Sequence, residues 1–346
     1  MSDLKVAVIG CGNIGQVHID RWKSISGVEL LACVDVERER AKQMSEKFHI
    51  PNFYESLDPV LKDSSVDILD VCTPTYTHKE IVETALEYGK NVIVEKPIAL
   101  KLKDAESMIN KARNAGRKLM VAHVLRFWAE YIMARSLIMD GEIGMPVFAK
   151  ANRLIAHNFS VWKDWHNDPN KGGGVFIDTS IHDLDFFIWT FGNAVEIYAQ
   201  GGTLVRRAYS HDHTRAFILF KNKLGAYVEG SWIMPEGYPF SYNLEVIGTK
   251  GLIRMGSDNP KQIDIFLTGG SVKRQRIILE TKDPYFLELE AFKECVKRDT
   301  TVPVSGEDGR KALELAIAGV ISILRKKSVS LPLEEDFPAE YLALSI

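Results

Sequence analysis

The sequence predicts an α/β domain built on a doubly wound parallel sheet, followed by an α+β domain built on a mostly antiparallel open sheet. Three observations carry this expectation. The chain has 346 residues, enough for about two domains. Over residues 1–122, short β-branched apolar runs alternate with stretches of helical period, the pattern of a parallel sheet covered on both faces. From residue 195 onward, strand follows strand. Turn residues such as Lys221-Asn222, Gly248-Thr249 and Gly269-Gly270 separate several of them, as antiparallel hairpins require.

In chain order, the first half has strands at 5–9, 29–34, 66–72, 91–95 and 118–122. Helices are expected at 14–25, 38–48, 76–88 and 105–115, and right-handed crossovers make the sheet doubly wound. The pattern changes at residue 123, so the domains are expected at 1–122 and 123–346. In the second, 126–139 reads as a helix ended by Gly141 and Gly144, and 175–191 as one amphipathic helix closed by Gly192. Strands follow at 195–201, 214–220, 225–232, 242–247, 251–255, 262–266 and 273–279. Helices at 286–297 and 305–325 close the chain.

Composition removes several classes of function. Lys plus Arg total 43 and Asp plus Glu 46, a formal net charge of −3, and 46% of residues are hydrophobic against 26% charged. That balance excludes a disordered chain, a collagen-like repeat and a generally basic nucleic-acid binder. The apolar run Val6-Ala7-Val8-Ile9-Gly10 is too short to span a bilayer and follows no signal-peptide pattern, so a cytoplasmic protein is expected. The four cysteines (Cys11, Cys33, Cys72, Cys295) have no CxxC spacing and read as reduced, buried thiols.

Gly10-Cys11-Gly12-Asn13-Ile14-Gly15 fits GxGxxG in the setting the fingerprint requires, directly after a strand and opening a helix. Gly10 allows the tight turn, Gly12 lets a pyrophosphate approach the backbone, and Gly15 permits close helix–strand packing. Asp35, 20 residues past Gly15 at the end of the second strand, is placed to bind ribose hydroxyls. The first domain is therefore expected to be a dinucleotide-binding Rossmann domain. Asp35 repels a 2′-phosphate, so NAD is preferred over NADP, with Arg38 able to soften that preference.

Two further constellations carry chemistry. In Glu95-Lys96-Pro97, at the carboxyl end of the fifth apolar segment, an extended or cis Lys96–Pro97 bond points the ammonium across a nicotinamide. Taken alone, Lys96 reads as an ordinary solvated strand-end lysine. Gly172-Gly173-Gly174 leads into a helix on which Asp178 and His182 stand at i and i+4. A carboxylate beside an imidazole makes a general base near neutrality, although the same spacing suits a plain surface charge pair. No partner ligands make it a metal site, and no metal is expected.

The order GCGNIG, Asp35, CTPTYTH (72–78), EKP (95–97) and GGGVFIDTSIHDLDFFIW resembles the glucose–fructose oxidoreductase/inositol dehydrogenase (Gfo/Idh/MocA) family over nearly the whole chain. The resemblance implies a Rossmann domain plus a C-terminal domain for substrate binding and oligomer contacts. By it, Lys96 is the catalytic lysine, His182 the proton acceptor and Asp178 its partner. Thr73, Pro74 and His78 line the cofactor, together with Gly10, Gly12, Asn13, Ile14, Gly15, Asp35, Glu95 and Pro97.

The activity implied is NAD-dependent oxidation of a secondary ring alcohol of a cyclic polyol or sugar. His123, Arg126, Arg153, His157 and Trp165 are candidate substrate residues, with polar donors and aromatic faces suited to a ring. Arg126 serves equally to pair with an internal acid, and the tryptophans to pack a core or subunit contact. Two alternatives remain: a nucleotide sugar or sugar acid as substrate, with Arg153, Lys163 and Lys171 as the added cations, or a non-catalytic NAD-binding regulator. Ile197-Tyr198, Phe217-Ile218 and Tyr227-Val228 suggest an apolar sheet face and a homodimer or homotetramer, with no nucleic-acid or membrane partner.

Overall fold

The structure is a computed structural model, and residues 3–156, 162–205, 210–270, 272–276 and 282–342 are described. The chain forms two compact units. The first comprises Met1–Val124 and Lys282–Arg310, the second Leu125–Thr281 and Lys311–Ile346. The segment 282–310 thus joins the first unit although it follows the second unit's strands in sequence.

The first unit holds six strands: β1 (Leu4–Ile9), β2 (Val28–Val34), β3 (Asn52–Tyr54), β4 (Ile68–Val71), β5 (Asn91–Glu95) and β6 (Leu119–Ala122). They form a sheet of order β3-β2-β1-β4-β5-β6 in which every pair is parallel. The switch point lies at β1/β4, the position where doubly wound folds bind nucleotides. Helices α1 (Asn13–Ser24), α2 (Arg38–Phe48), α3 (Asp58–Lys62), α4 (His78–Glu87) and α5 (Leu102–Ala115) connect the strands. The central strands are buried on both faces, which is why Val6–Ile9 and Val92–Val94 read as unbroken apolar runs, while Ile68–Val71 carries one buried acid, Asp70. β3 and α3 were not expected from the sequence; at three and five residues they are too short to show a period.

The second unit opens with α6 (Ala129–Met139) and β7 (Pro146–Leu154), then α7 (Val175–Asp178) and α8 (Ile181–Phe191). Strands β8 (Ala194–Gly202), β9 (His213–Phe220), β10 (Gly225–Ser231), β11 (Ser241–Gly248), β12 (Gly251–Gly256), β13 (Gln262–Leu267) and β14 (Val272–Arg276) follow. The chain ends with α9 (Pro284–Arg298) in the first unit, then α10 (Gly306–Arg325), β15 (Val329–Ser330) and α11 (Ala339–Leu342). α9 starts by a strong local rule, Pro284 in its first turn and the Asp283 carboxylate accepting the Tyr285 and Phe286 N–H groups.

The second sheet has the order β14-β13-β12-β11-β7-β10-β9-β8-β15 and is open at both ends. It is mostly antiparallel, as expected; β7 and β10 run parallel. β7 is the strand the sequence hid. Its inward positions are Ala149, Ala151 and Arg153, two small residues and a cation, so the usual large-apolar alternation is missing. One sheet face is core, with Ile197, Ile218, Val228, Leu244 and Val246 buried.

The expected single helix 175–191 is two helices. Thr179 and Ser180 interrupt the ladder, and the Val175 carbonyl accepts from both their N–H groups (2.8 and 3.0 Å). The break is locked by packing. Thr179 Oγ1 accepts from Trp232 Nε1 at 2.7 Å, and Ser180 Oγ occupies the space a Cβ on Gly230 would need.

Candidate functional site

The Gly-rich loop sits at the carboxyl end of β1. Gly10 has φ +95°, and a Cβ there would approach the Cys72 carbonyl oxygen to 2.6 Å, so the turn requires glycine. A Cβ on Gly15 would meet the Gly10 carbonyl oxygen, which fixes how closely α1 approaches the loop. Gly12 is different: it is exposed, and nothing lies within 4 Å of where its Cβ would be. It caps α1 with no side-chain hydrogen bond and no acidic residue in the first turn, so the positive helix end faces open space. Asn13 is exposed and Ile14 half-buried beside it. A pyrophosphate fits that arrangement.

Asp35 closes the same edge at the end of β2. It is buried, and its carboxylate accepts the Cys11 N–H (2.9 Å) and the Glu37 N–H (2.8 Å). The loop and the acid are therefore one hydrogen-bonded unit. Arg40 completes it, Nη1 lying 3.1 and 3.2 Å from the two Asp35 oxygens. Arg38, the expected arginine, instead reaches Glu55 at 3.6 Å and lies over the Phe53 ring. Two residues along a helix turn a side chain through about 200°, so 38 and 40 cannot face the same group.

Further loops at the carboxyl edge of this sheet carry the remaining candidates. Thr73 and Pro74 follow β4 and are half-buried. His78 is buried at the start of α4. Its Nδ1 lies 3.0 Å from the Pro97 carbonyl oxygen and its Nε2 2.8 Å from that of Thr73. Burial lowers the His78 pKa, and the two carbonyls only partly offset this. His78 thus braces the backbone of two loops. Lys96 is half-buried directly after β5, the Lys96–Pro97 peptide is cis, and the Lys96 N–H donates to Glu95 Oε2 at 3.1 Å. His123 is buried one residue past β6.

In the second unit, Asp178 ends α7 and His182 stands in the first turn of α8, both half-buried. The Thr179 hydroxyl donates to Asp178 Oδ2 at 3.3 Å. The approach to α7 is held by the chain's end. Gly174 has φ +83°, and a Cβ on it would meet Tyr341 Oη at 2.6 Å. That hydroxyl accepts the His211 N–H (2.9 Å) and donates to the Gly173 carbonyl (3.3 Å). The His211 carbonyl in turn takes the Val175 N–H at 3.0 Å. Trp165 stacks on His166 at 3.7 Å between ring centroids and stays half-buried, its carbonyl lying beside Gly172.

Two expected substrate residues are each paired with a buried carboxylate. Arg126 is bidentate to Asp185 (2.9 and 2.7 Å) and buried. Arg153 is held by Asp183 (3.2 and 3.0 Å) and Tyr131 Oη (3.0 Å), also buried. Guanidinium groups committed to buried carboxylates hold the fold of this unit, and removing one partner of such a pair costs about 3–5 kcal/mol. His157 lies outside the described residues. Arg40, Tyr341 and His211 were not expected from the sequence. Helical geometry from residue 38 points to Arg40; Tyr341 and His211 are partners only in three dimensions.

A parallel sheet of this order, with a GxGxxG turn fused to an acid at the end of β2, defines a dinucleotide-binding fold. Comparison with known proteins agrees. Residues 4–123 match the family described as "Oxidoreductase family, NAD-binding Rossmann fold" and residues 131–254 match the GFO/IDH/MocA C-terminal domain. The chain belongs to the Gfo/Idh/MocA oxidoreductase family, and it is an NAD-dependent dehydrogenase. It is 30% identical over 344 residues to myo-inositol 2-dehydrogenase of Thermotoga maritima, covering 95% of this chain and 98% of that one. It is 29% identical over 346 residues to scyllo-inositol 2-dehydrogenase (NAD(+)) of Bacillus subtilis, covering 96% and 98%. A solved levoglucosan dehydrogenase, in complex with NADH and L-sorbose, shares the fold with a TM-score of 0.88 at 20% identity, over 96% of this chain and all of that one. Among the described residues no helix is long and apolar enough to cross a membrane.

Proposed function

We propose that this dehydrogenase oxidises a secondary ring alcohol of an inositol, or of a closely similar cyclic sugar, to the ketone. The observation that carries this reading is the end-to-end match to two inositol 2-dehydrogenases in a chain that keeps Lys96, Asp178 and His182. NAD, when bound, supplies the hydride acceptor. Gly10, Gly12, Gly15 and Asp35 hold it, with Arg40 orienting the Asp35 carboxylate.

Lys96 holds the substrate hydroxyl oxygen and stabilises the negative charge that develops as its proton leaves. His182 takes that proton. Its Nδ1 is shut off from solvent, so Nε2 is the accepting atom. Asp178 stabilises the imidazolium formed, and a base so placed contributes about 10²–10⁴ in rate. The half-exposed Trp165 ring offers a flat apolar face to the C–H side of a sugar ring.

Nucleotide sugars and sugar acids need extra cations, and two of the three candidates are engaged elsewhere: Arg153 with Asp183, and Lys171 with Asp168 at 2.7 Å. The lysine and the His/Asp pair count against a non-catalytic regulator.

Self-association follows from the solvent face of the second sheet. Leu219, Gly225, Phe148, Ile247, Leu252, Phe266 and Val272 align in register across seven strands. Beside them runs an aromatic row, Tyr198, Phe217 and Tyr227. Phe217 is 57% exposed and Val272 58%. An apolar face of this extent is covered in solution by a second copy, giving a homodimer or homotetramer. The four buried free thiols fit a reducing compartment, and we place the protein in the cytoplasm.

The test is NADH formation by the purified protein against inositols, hexoses and nucleotide sugars in parallel. Turnover of an inositol or free sugar, with no turnover of nucleotide sugars, is expected. The reverse preference overturns the substrate assignment.

A further inference from the structure

Under the Gly-rich loop an imidazole sits between two carboxylates. His18, on α1, is fully buried. Its Nδ1 lies 2.9 Å from Asp70 Oδ2 on β4. Its Nε2 lies 3.2 Å from Glu95 Oε1 at the end of β5, a charge contact that falls short of hydrogen-bond alignment. Trp22 Nε1 donates to the same Asp70 oxygen at 2.7 Å, and Cys72 Sγ lies 3.3 Å from His18 Nδ1. Tyr285 of α9 flanks the ring at 5.9 Å between centroids. The other Glu95 oxygen, Oε2, is also engaged, accepting the backbone N–H of Lys96.

Burial opposes a charged imidazole, yet Asp70 and Cys72 outweigh it and hold the His18 pKa well above its ordinary value. A cation at this point offsets the cost of two buried carboxylates. Without it Glu95 loses the one countercharge it contacts among the described residues and gains by turning toward water. The Lys96 amide then loses its acceptor, and the turn that carries the ammonium keeps the His78 contact at Pro97 but loses the one at Lys96 itself.

We propose that His18 is a positioning residue for Lys96, acting through Glu95. The line Asp70–His18–Glu95–Lys96 runs from the core of the sheet to its carboxyl edge, with contacts of 2.9, 3.2 and 3.1 Å. This rests on the reading of Lys96 as the group that holds the substrate oxygen. His18, Asp70 and Cys72 also place metal-ligating atoms within 4.8 Å of one another. The contacts favour hydrogen bonding over a metal. Nδ1 and Oδ2 are closer than the roughly 3.3 Å between two ligands at about 2 Å from a tetrahedral zinc, and Oδ2 already accepts from Trp22.

The experiment uses the full-length protein with His18→Gln, Glu95→Gln, Lys96→Ala and the double variant His18→Gln/Lys96→Ala. Hydrogen exchange of the peptide spanning residues 93–99 reads the Lys96 amide without any turnover. We expect exchange there at least ~10-fold faster in His18→Gln, with the strands β1 and β2 still protected. In kinetics His18→Gln lowers kcat about 10-fold or more while KM changes less than about threefold, Glu95→Gln does the same, and the double variant is no slower than Lys96→Ala. Unchanged exchange at 93–99, a rise spread evenly over the unit, or effects that multiply in the double variant would overturn the proposal. So would zinc bound at one equivalent and lost in His18→Gln. A failure of the Lys96 reading shows separately, as wild-type kcat in Lys96→Ala alone.

Discussion

The His78 ring joins two backbone segments that come from different strands: it reaches the Thr73 carbonyl with one nitrogen and the Pro97 carbonyl with the other, at 2.8 and 3.0 Å. The loop after β4 and the turn after β5 thus both pack on one buried side chain, which as a neutral imidazole donates its single N–H to one of the two carbonyls. His78→Phe keeps the volume and removes both contacts. It should destabilise the protein by about 1–3 kcal/mol, the cost of leaving a buried carbonyl unsatisfied, and weaken NADH binding. Denaturant unfolding and a fluorescence titration with NADH check the two parts; an unaltered melt would show that water replaces the ring at no cost.

Cofactor choice should turn on Asp35 and Arg40 together. Asp35→Ser removes the carboxylate and leaves the Arg40 guanidinium beside the space it occupied. NAD efficiency should fall and NADP efficiency rise, shifting the ratio of kcat/KM values by about 100-fold or more, since a charge repulsion becomes an attraction. Adding Arg40→Ala should cancel the gain for NADP but not the loss for NAD. A gain for NADP that survives Arg40→Ala would place the 2′-phosphate elsewhere.

Acid stability should depend on His211. Burial pushes its pKa down to about 4. The fold favours the neutral ring, so stability from this group is complete above the unfolded value near 6.5 and is lost as pH falls toward 4. Over that window the loss is about 3 kcal/mol. His78 acts in the same direction. His18 does not mask the loss, because its raised pKa contributes fully below 6.5 and fades only as pH rises through its higher folded value. His211→Phe keeps a ring against Tyr341 and should flatten the dependence. Melting temperatures at pH 7 and pH 4.5 decide it; an equal acid loss in both proteins would assign the titration to other groups.

Much of this was legible in the sequence, for physical reasons that also mark where legibility stopped. Buried parallel strands such as Val6–Ile9 advertise themselves as apolar runs, and the Gly10–Gly15 loop carries its turn chemistry in its residues. β7 did not, because Arg153 faces inward against Asp183 and so reads as an outward position. The interruption at Thr179–Ser180 depends on Gly230 and Trp232, which are distant in sequence. Arg126 and Arg153 had the chemistry of ligands, and only the folded chain shows that each is paired with a buried acid of α8, Asp185 and Asp183. The same limit hid the Tyr341 contact with Gly173 and the return of 282–310 to the first unit.

The sheet face offers a test independent of catalysis. Phe217 stands between Tyr198 and Tyr227 on neighbouring strands, exposed on the solvent face. Phe217→Glu places a charge there without touching the core face. Light scattering should give an oligomer for the wild type and a monomer for the variant at micromolar concentration. A monomeric wild type would reject self-association outright.

The central claim is that a hydride leaves a ring carbon of a polyol while Lys96 holds the oxygen on that carbon. The most direct measurement uses inositol carrying deuterium at every ring carbon, with NAD, and mass analysis of the NADH formed. We expect one deuterium in the NADH, slower turnover than with unlabelled inositol when chemistry limits the rate, and a loss of about 100-fold or more in Lys96→Ala with NADH binding retained. NADH without deuterium, or full activity in Lys96→Ala, would contradict it.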